Sequence, residues 1–202
     1  SLPEAAESAL SELGPVAVKP LIGLAKGRKH PNLPGLIKIL GKLGDKRAVP
    51  TLTLAAGDKD PKVRAAALTA AAAVDVAIAE KELIRGLDDK QVIVRRAAAA
   101  GLAQGATTAA IEPLSKVVKK DKDSDVRRHA VTALGKLGDR RGLLALVHAL
   151  QKDPDADTRF AAVTAMYKVR HRGMIPALKG AQLDKDQRVK EAAAKLLEEM
   201  LK

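Results

Sequence analysis

The chain has 202 residues, a formal net charge of +12 and a sequence pI near 10. Hydrophobic residues make up 47% of it, but aromatic residues only 1%, and cysteine is absent. This composition excludes a disulfide framework, a thiolate nucleophile and a cysteine-ligated metal, and no apolar run approaches the roughly 18 residues of a membrane-spanning helix. The positive charge favours an acidic partner, such as a protein, a nucleic acid or an anionic membrane surface, unless it serves solubility alone.

Residues 1–44 are predicted to form degenerate helix-pair repeats at the N-terminal end of an array. They keep the spacing of the later repeats, because "LGP" begins at Leu13 and "LGD" at Leu43, but they lack the Asp and Arg residues that recur afterwards. The opening "SLPE" is typical of a capping box between Ser1 and Glu4, in which two side chains satisfy free backbone groups at a helix start.

Residues 45–202 carry a regular period of about 31–32 residues, which is the signature of a solenoid built from stacked repeats. A basic residue recurs at intervals of 31, 32, 32 and 31 residues. These residues are Arg64, Arg95, Arg127, Arg159 and Lys190. An Asp lies six residues before each of them, at Asp58, Asp89, Asp121, Asp153 and Asp184.

Each repeat is predicted to contain two antiparallel helices, A and then B, joined by a short turn. Asp60 is suited to cap helix B, because its carboxylate can accept from free backbone N–H groups, and Pro61 follows at the first helical position. Apolar residues then recur at helical spacing, and the "LGD" at residues 137–139 is typical of a helix end.

These residues resemble the HEAT-repeat family, whose pattern has a proline in helix A, an Asp in the turn and Val-Arg early in helix B. The chain matches this pattern at Pro50, Asp58 and Val63-Arg64, and again two repeats later at Pro113, Asp121 and Val126-Arg127. The short loops and "ALGKLGDRR" at residues 133–141 resemble the bacterial, phycobilisome-lyase-type subclass. The resemblance implies an all-α, right-handed α-solenoid of about six to seven helix pairs in one continuous domain.

The resemblance also implies a structural role for the recurring acidic and basic residues, which in the family form a ladder of hydrogen bonds between neighbouring repeats. Lys190 departs from the pattern, because an ammonium group cannot offer the bidentate fork of a guanidinium. Carried over to this chain, the ladder comprises Asp58, Asp89, Asp121, Asp153, Asp184, Arg64, Arg95, Arg127 and Arg159.

No motif for catalysis, cofactor binding or metal binding is present in the sequence. The "GLIKILGKLG" at residues 35–44 lacks the spacing and the Ser or Thr of a phosphate-binding loop. The four histidines are not spaced as metal ligands, and the His-Glu pairs of the iron-binding HEAT hydroxylases are missing. We therefore predict a non-enzymatic protein without a cofactor or metal. A lyase-like or chromophore-handling subunit stays open through the subclass resemblance alone.

A partner-binding site is predicted on the concave face, which the resemblance lines with B helices. The outward-facing positions of each B helix lie one, five and nine residues after its ladder arginine. Tyr167 lies eight residues after Arg159 and is added to them. An aromatic pair beside an arginine is the usual composition of an interface hot spot, whereas the alternative places both rings in the core. The predicted residues are Arg96, Arg128, Phe160, Tyr167, Lys136, Lys168, Thr132 and Thr164.

Basic residues also recur in the turns that lead from helix B to the next helix A. They are candidates for binding phosphate without sequence preference, and the alternative is that they are simply solvated. These residues are Lys46, Arg47, Arg140, Arg141, Arg170 and Arg172, with a separate basic loop, "KGRKHPN", at residues 26–32.

The function predicted from these features is a non-catalytic scaffold that binds an acidic protein partner through a concave basic groove. The alternatives are electrostatic, sequence-nonspecific binding of nucleic acid and a lyase-like subunit. We expect a monomer rather than an oligomer, no membrane span, and a cytoplasmic location.

Overall fold

The computed structural model describes residues 9–10, 12–27 and 30–202, and every regular element in these residues is helical. The chain divides into two compact units, Ser1–Gln104 and Gly105–Lys202. The predicted capping box of Ser1 and Glu4 lies outside the described residues, as do Arg28 and Lys29 of the basic loop. The predicted organisation, one continuous domain with degenerate repeats in residues 1–44 and regular repeats in residues 45–202, stays a prediction.

Unit 1 contains three pairs of helices in its described part, each pair consisting of an A helix and a B helix. A 3-10 turn at Lys46–Ala48 leads into the second pair. The helices are α1 (Pro15–Lys26), α2 (Leu33–Leu43), α3 (Val49–Ala55), α4 (Pro61–Val74), α5 (Val76–Gly86) and α6 (Val92–Gly105), the last of which ends one residue beyond the unit.

Unit 2 contains three further A–B pairs, and a 3-10 turn precedes each A helix, at Thr108–Ala110, Arg140–Gly142 and Arg172–Met174. The helices are α7 (Ile111–Lys120), α8 (Ser124–Leu137), α9 (Leu143–Lys152), α10 (Ala156–Val169), α11 (Ile175–Ala181) and α12 (Gln187–Leu201). The described residues therefore hold six A–B pairs, which agrees with the lower end of the number predicted.

Helix α4 begins, and helix α8 ends, at the residues that the sequence predicts. The Asp60 carboxylate accepts the Lys62 N–H at 2.8 Å, and Pro61 occupies the first turn of α4. Such a cap satisfies a backbone donor that the helix itself leaves free, and its loss typically costs about 1 kcal/mol. At the other end of α8, Gly138 has φ 64°, a left-handed conformation that glycine adopts without steric penalty.

In each unit the core lies between a layer of A helices and a layer of B helices, and it is built from aliphatic side chains. In unit 2, for example, α7, α9 and α11 pack in one layer and α8, α10 and α12 in the other. Leu114, Leu134 and Leu146 are fully buried between these layers. Burying one such side chain contributes about 1.5–3 kcal/mol, so aliphatic packing stabilises the fold without aromatic residues.

Small residues bring neighbouring B helices into close contact. An added Cβ on Gly135 of α8 would lie 2.5 Å from the Cβ and 2.7 Å from the Cα of Ala165 in α10. The same arrangement recurs in unit 1, where a Cβ on Gly41 of α2 would lie 2.7 Å from the Cα of Ala70 in α4. Only glycine permits these approaches. In each unit, two neighbouring B helices therefore touch at the floor of a surface groove.

Candidate functional site

The ladder arginines hold turns together and are therefore unavailable for chemistry. Arg127 donates from Nε and Nη2 to both carboxylate oxygens of Asp153, at 2.7 and 2.8 Å. Its Nη1 donates to the backbone carbonyls of Asp121 and Lys122, both at 3.0 Å. One guanidinium thus closes its own turn and binds the turn of the next repeat. The Arg127 and Asp153 side chains are only 9% and 2% exposed.

The same geometry recurs at two other steps of the ladder. Arg64 donates to Asp89 at 2.8 and 2.9 Å in unit 1, and Arg159 donates to Asp184 at 2.8 Å through both nitrogens in unit 2. Arg95 donates from Nη1 to the Asp89 carbonyl at 3.0 Å, which closes its turn in the same way. These bidentate pairs are charge-assisted and geometrically specific.

The ladder also fixes the charge states of its carboxylates. Hydrogen bonds from Arg159 lower the pKa of Asp184, although burial opposes the shift. For Asp89, burial alone would raise the pKa, but the bonds from Arg64 and from the Gln91 N–H outweigh burial, and the pKa lies below its ordinary value. These carboxylates therefore stay ionised at neutral pH and are not poised as proton donors.

Most of the basic residues in the B-to-A turns are paired with carboxylates of the same chain. Arg47 contacts Asp45 at 2.6 Å and Arg141 contacts Asp139 at 2.8 Å, while Lys46 reaches Asp75 and Arg170 reaches Glu199. The Arg141 side chain lowers the pKa of Asp139 to about 2. Among the described residues, only Arg140 and Arg172 of the six turn residues make no ion pair. The sequence contains a signal for this pairing, since an Asp precedes Arg47 and Arg141 by two residues.

The two aromatic residues of α10 have different surroundings. Phe160 is 36% exposed, and the Arg188 guanidinium lies 5.7 Å from its ring centroid, within the range of a cation–π contact. Tyr167 is half-buried, and its pKa is raised by burial and by the nearby Glu199. Of the predicted arginines, Arg128 forms an ion pair with Asp125 on its own helix, and Arg96 is exposed on α6 in unit 1.

Four of the predicted binding residues come together between α8 and α10. They line a surface groove of about 230 Å³, here called the α8–α10 groove, whose floor is Gly135 against Ala165. The hydroxyls of Thr132 and Thr164 donate to backbone carbonyls one turn back, at 2.9 and 3.1 Å. The lining residues are Thr132, Gly135, Lys136, Ala161, Thr164, Ala165 and Lys168.

The two lysines of the α8–α10 groove differ from the basic residues of the turns. Lys136 and Lys168 are both exposed, and neither forms an ion pair with any residue that the structure describes. They lie on opposite walls, because Lys136 belongs to α8 and Lys168 to α10. This groove therefore presents two uncompensated positive charges across an uncharged floor.

An equivalent but larger groove lies in unit 1, between α2 and α4. This α2–α4 groove has a volume of about 550 Å³ and the same floor of glycine against alanine, here Gly41 and Ala70. The sequence indicates no cavity at this position. The lining residues are Asn32, Pro34, Gly35, Lys38, Gly41, Lys42, Ala66, Thr69, Ala70 and Ala73.

Stacked A–B pairs, capped by Asp and joined by an Asp–Arg ladder, define a helical repeat protein. The HEAT-repeat family model matches residues 35–103, 80–166 and 111–198, and the chain therefore belongs to the HEAT-repeat family. A search of curated proteins found no significant match.

Solved structures with the same fold include engineered and natural repeat proteins. A computationally designed armadillo repeat protein for modular peptide recognition superposes with a TM-score of 0.69 at 20% identity, over 90% of this chain and 98% of the other. A designed armadillo repeat protein in complex with the peptide (KR)4 gives a TM-score of 0.66 at 20% identity, over 89% and 99%. The complex of CpcE and CpcF of phycocyanin lyase from Nostoc sp. PCC7120 gives 0.59 at 24%, over 75% and 99%.

These findings confirm the all-α, α-solenoid class and the resemblance to phycobilisome-lyase-type repeats. A repeat scaffold of this kind is suited to binding other proteins, and most such scaffolds are not catalytic. Among the described residues, no group of acidic or histidine side chains is arranged to hold a metal ion. None of the described helices has the length and apolar character needed to cross a bilayer.

Proposed function

We propose that this protein is a non-catalytic scaffold that binds an acidic segment of a partner protein along the α8–α10 groove. The observation that carries the proposal is the contrast between its lysines and the other basic residues. Lys136 and Lys168 are exposed and unpaired among the described residues, whereas most turn residues are neutralised by their own carboxylates. An acidic segment would supply the missing counter-charges.

The lining of the groove favours a segment with carboxylates at both edges. The threonine hydroxyls already donate to their own helices, and the floor offers only Ala and Gly surface. Recognition would then come from two ammonium–carboxylate contacts flanking a short uncharged contact. Peptide recognition by two of the similar designed proteins supports a peptide-like partner. One of those proteins binds a basic peptide, so the acidic preference here rests on Lys136 and Lys168.

Nucleic acid is a weaker candidate because phosphate binding depends on the number of available positive charges. Of the six turn residues, four are held in ion pairs, which leaves Arg140 and Arg172. A lyase-like role has the fold in its favour, but the sequence assigns no residue to such a reaction. The scaffold hypothesis therefore explains the distribution of paired and unpaired basic residues better than either alternative.

Binding of an oligoglutamate peptide tests the proposal directly. We expect the wild-type protein to bind the peptide at low ionic strength. The double variant Lys136→Glu/Lys168→Glu should lose at least about tenfold in affinity, because each contact is worth on the order of 1 kcal/mol. A matched control, Lys38→Glu/Lys42→Glu, changes the same total charge in unit 1. Isothermal titration calorimetry gives both dissociation constants, and circular dichroism checks folding.

Equal losses in the two double variants would mean that net charge, rather than the α8–α10 groove, controls binding, and would contradict the proposal. A duplex DNA probe extends the test. Tighter binding of DNA than of the peptide, abolished by Arg140→Glu/Arg172→Glu and by moderate salt, would favour the nucleic-acid alternative instead.

A further inference from the structure

The outer surface of the A-helix layer in unit 2 is rich in exposed lysines. This surface, here called the A face, consists of the exposed side chains of α7, α9 and α11 and of the turns that follow these helices. Glu112 is the one exposed acidic residue among them. Six exposed lysines of the A face form no ion pair with any residue that the structure describes. They are Lys119, Lys120, Lys122, Lys152, Lys179 and Lys185.

The carboxylates in the turns beside these lysines are engaged with other groups. Asp153 and Asp184 accept from the ladder arginines at 2.7 and 2.8 Å. Asp123 and Asp155 accept from backbone N–H groups in the first turns of α8 and α10, at 3.1 and 2.8 Å. All four side chains are buried or half-buried, whereas the lysines are exposed. The A face therefore presents positive charge to its surroundings.

The B-helix layer of the same unit has a surface of mixed charge. Arg188 contacts Asp157 at 2.8 Å, and Arg170 contacts Glu199 at 2.6 Å. Exposed acidic and basic side chains are interspersed on α12, so positive charge there is largely balanced. The charge of unit 2 is thus distributed unevenly between its two layers, and the single-sign surface is the A face. Such a surface attracts an anionic partner.

The A face also exposes two leucines among its lysines. Leu144 is 74% exposed on α9, and Leu183 is 87% exposed in the turn after α11. Leu183 lies in one row with Lys120 and Lys152, because each comes seven residues before the recurring basic residue of its repeat. Neighbouring helices pack about 8–10 Å apart, so this row spans roughly 20 Å. Apolar and cationic side chains therefore share one broad surface.

The A helices of unit 1 carry the same combination of side chains. Val16 is 78% exposed on α1, and Leu54 and Ile78 are each 52% exposed on α3 and α5. Lys19 and Lys81 are exposed on two of these helices, without an ion pair to a residue in the described ranges. Because the combination occurs in both units, it is a property of the A helices rather than of one repeat.

An anionic lipid bilayer matches both kinds of side chain, and the other anionic partners match only one. Nonspecific binding of DNA contacts phosphates and sugars, which would leave Leu144 and Leu183 against polar groups. The core of a protein interface is typically poor in lysine and rich in aromatic residues, and Phe160 and Tyr167 both lie on α10 in the B layer. Lipid headgroups are mobile and adjust to dispersed lysines, while the acyl boundary accepts leucine.

We propose that the A face of unit 2 binds the surface of an anionic lipid bilayer, with its lysines against the headgroups and Leu144 and Leu183 inserted between them. The chain lies on the bilayer and does not cross it. The α8–α10 groove belongs to the opposite layer of the unit, so it stays open to a partner while the A face is bound. The A face does not depend on the proposed function.

Sedimentation with lipid vesicles tests the requirement for charge. We expect the full chain to bind vesicles of equal parts phosphatidylserine and phosphatidylcholine at least about tenfold more tightly than vesicles of phosphatidylcholine alone. Lys120→Gln/Lys152→Gln should weaken binding to the anionic vesicles about tenfold. The matched control Lys136→Gln/Lys168→Gln removes the same charge from the B layer and should weaken binding less than about twofold. Circular dichroism checks folding.

A single tryptophan reports insertion, because the chain contains none. The fluorescence of Leu144→Trp should shift to the blue when anionic vesicles are added, since the indole moves from water into the lipid interface. Leu201→Trp, at a leucine that is 64% exposed at the end of α12, should show no shift. Leu144→Ala/Leu183→Ala should weaken binding to the vesicles at least about fivefold.

Three results would overturn the proposal: equal binding to vesicles with and without phosphatidylserine, equal losses in the two lysine double variants, or no blue shift in Leu144→Trp bound to vesicles. Tighter binding of duplex DNA than of anionic vesicles, sensitive to Lys120→Gln/Lys152→Gln but not to the leucine variant, would assign the A face to nucleic acid instead. The oligoglutamate test of the α8–α10 groove concerns different residues, so the two proposals fail independently.

Discussion

The α2–α4 groove and the α8–α10 groove have the same backbone design and different surface chemistry. Each floor is a glycine on one B helix against an alanine on the next. In unit 2 the lysines lie on opposite walls, at Lys136 and Lys168, whereas in unit 1 both lysines lie on α2 and an alanine occupies the position of Lys168. A few side chains on the B helices thus set how lysines are distributed over the groove walls, while the floor stays the same.

This difference shows which parts of a repeat determine stability and which determine binding. The ladder and the glycine–alanine contacts are repeated in both units, because they hold helices and turns at fixed distances. The residues at the groove walls are exposed and make few contacts with the core, so they can vary without disturbing the fold.

The ladder step between Arg127 and Asp153 is the most buried of the steps seen here. Asp153→Ala should destabilise the protein by about 3–5 kcal/mol, because it leaves a guanidinium buried without its counter-charge. Asp89→Ala in unit 1 should cost less, since Arg64 and Asp89 are 17% and 16% exposed and water can partly solvate the remaining group. Urea unfolding followed by circular dichroism measures both losses.

A surface ion pair provides the control for the ladder variants. Glu198 and Lys202 form a pair in which both side chains are about 70% exposed. Glu198→Ala should change the unfolding free energy by less than about 0.5 kcal/mol. A loss from Asp153→Ala as small as this would show that the ladder contributes little, and would contradict the structural role assigned to it.

The glycine floors should be sensitive to one added methyl group in both units. Gly41→Ala and Gly135→Ala should each destabilise the protein by about 1–3 kcal/mol, because the new Cβ would overlap the backbone of the facing helix. The cost should exceed the roughly 1 kcal/mol that alanine contributes through helix propensity. Thermal and urea unfolding of the two variants should give similar losses, since the contacts are similar.

Gly23 of α1 is the matched control, because an added Cβ there would meet nothing within 4 Å. Gly23→Ala should therefore stabilise the protein by up to about 1 kcal/mol. If all three substitutions stabilise the protein alike, the close approach of the B helices is wrong, and the floors of both grooves would need a different explanation.

The smallest predicted effect is a dependence of stability on acidic pH. The pKa values of Asp89 and Asp184 are lowered in the folded protein, so each contributes stability that is fully present above the unfolded value near 3.8. That contribution is lost as the pH falls through the lower, folded value. The free energy of unfolding should therefore decrease below about pH 4, and less steeply in Asp184→Asn. An unchanged slope in this variant would argue against a lowered pKa at Asp184.

Much of the fold could be predicted from the sequence, because local signals and long-range periodicity agree. Asp60 and Pro61 specify a helix start within a few residues, and Gly138 specifies an end. The regular period of the Asp and Arg residues also predicts that the repeats stack on one another, which no local signal indicates. The recurrence of Arg127 and Asp153 at fixed offsets carried the resemblance to the HEAT-repeat family, and that resemblance implied their structural role.

The candidate sites were predictable only in part. Counting offsets from the ladder arginine places Lys136 and Lys168 on one exposed face, because helical geometry fixes which residues point outward. The environments of Phe160 and Tyr167 depend on Arg188 and Glu199, which belong to the next repeat. Neither contact repeats along the chain, so the periodicity of the sequence does not predict it. The volume of a groove likewise depends on how closely two helices approach, and the sequence indicates this only through small residues such as Gly41.

Arg64, Arg127 and Arg159 each bind a carboxylate of the following repeat, so a repeat of this kind has one edge that donates and one edge that accepts. A duplicated block of one complete period would carry both edges, and its Arg would meet the next Asp just as the original does. A block of any other length would separate donor from acceptor and leave a charge without its partner. The pairing of Arg127 with Asp153 thus favours growth or loss of such a chain by whole repeats.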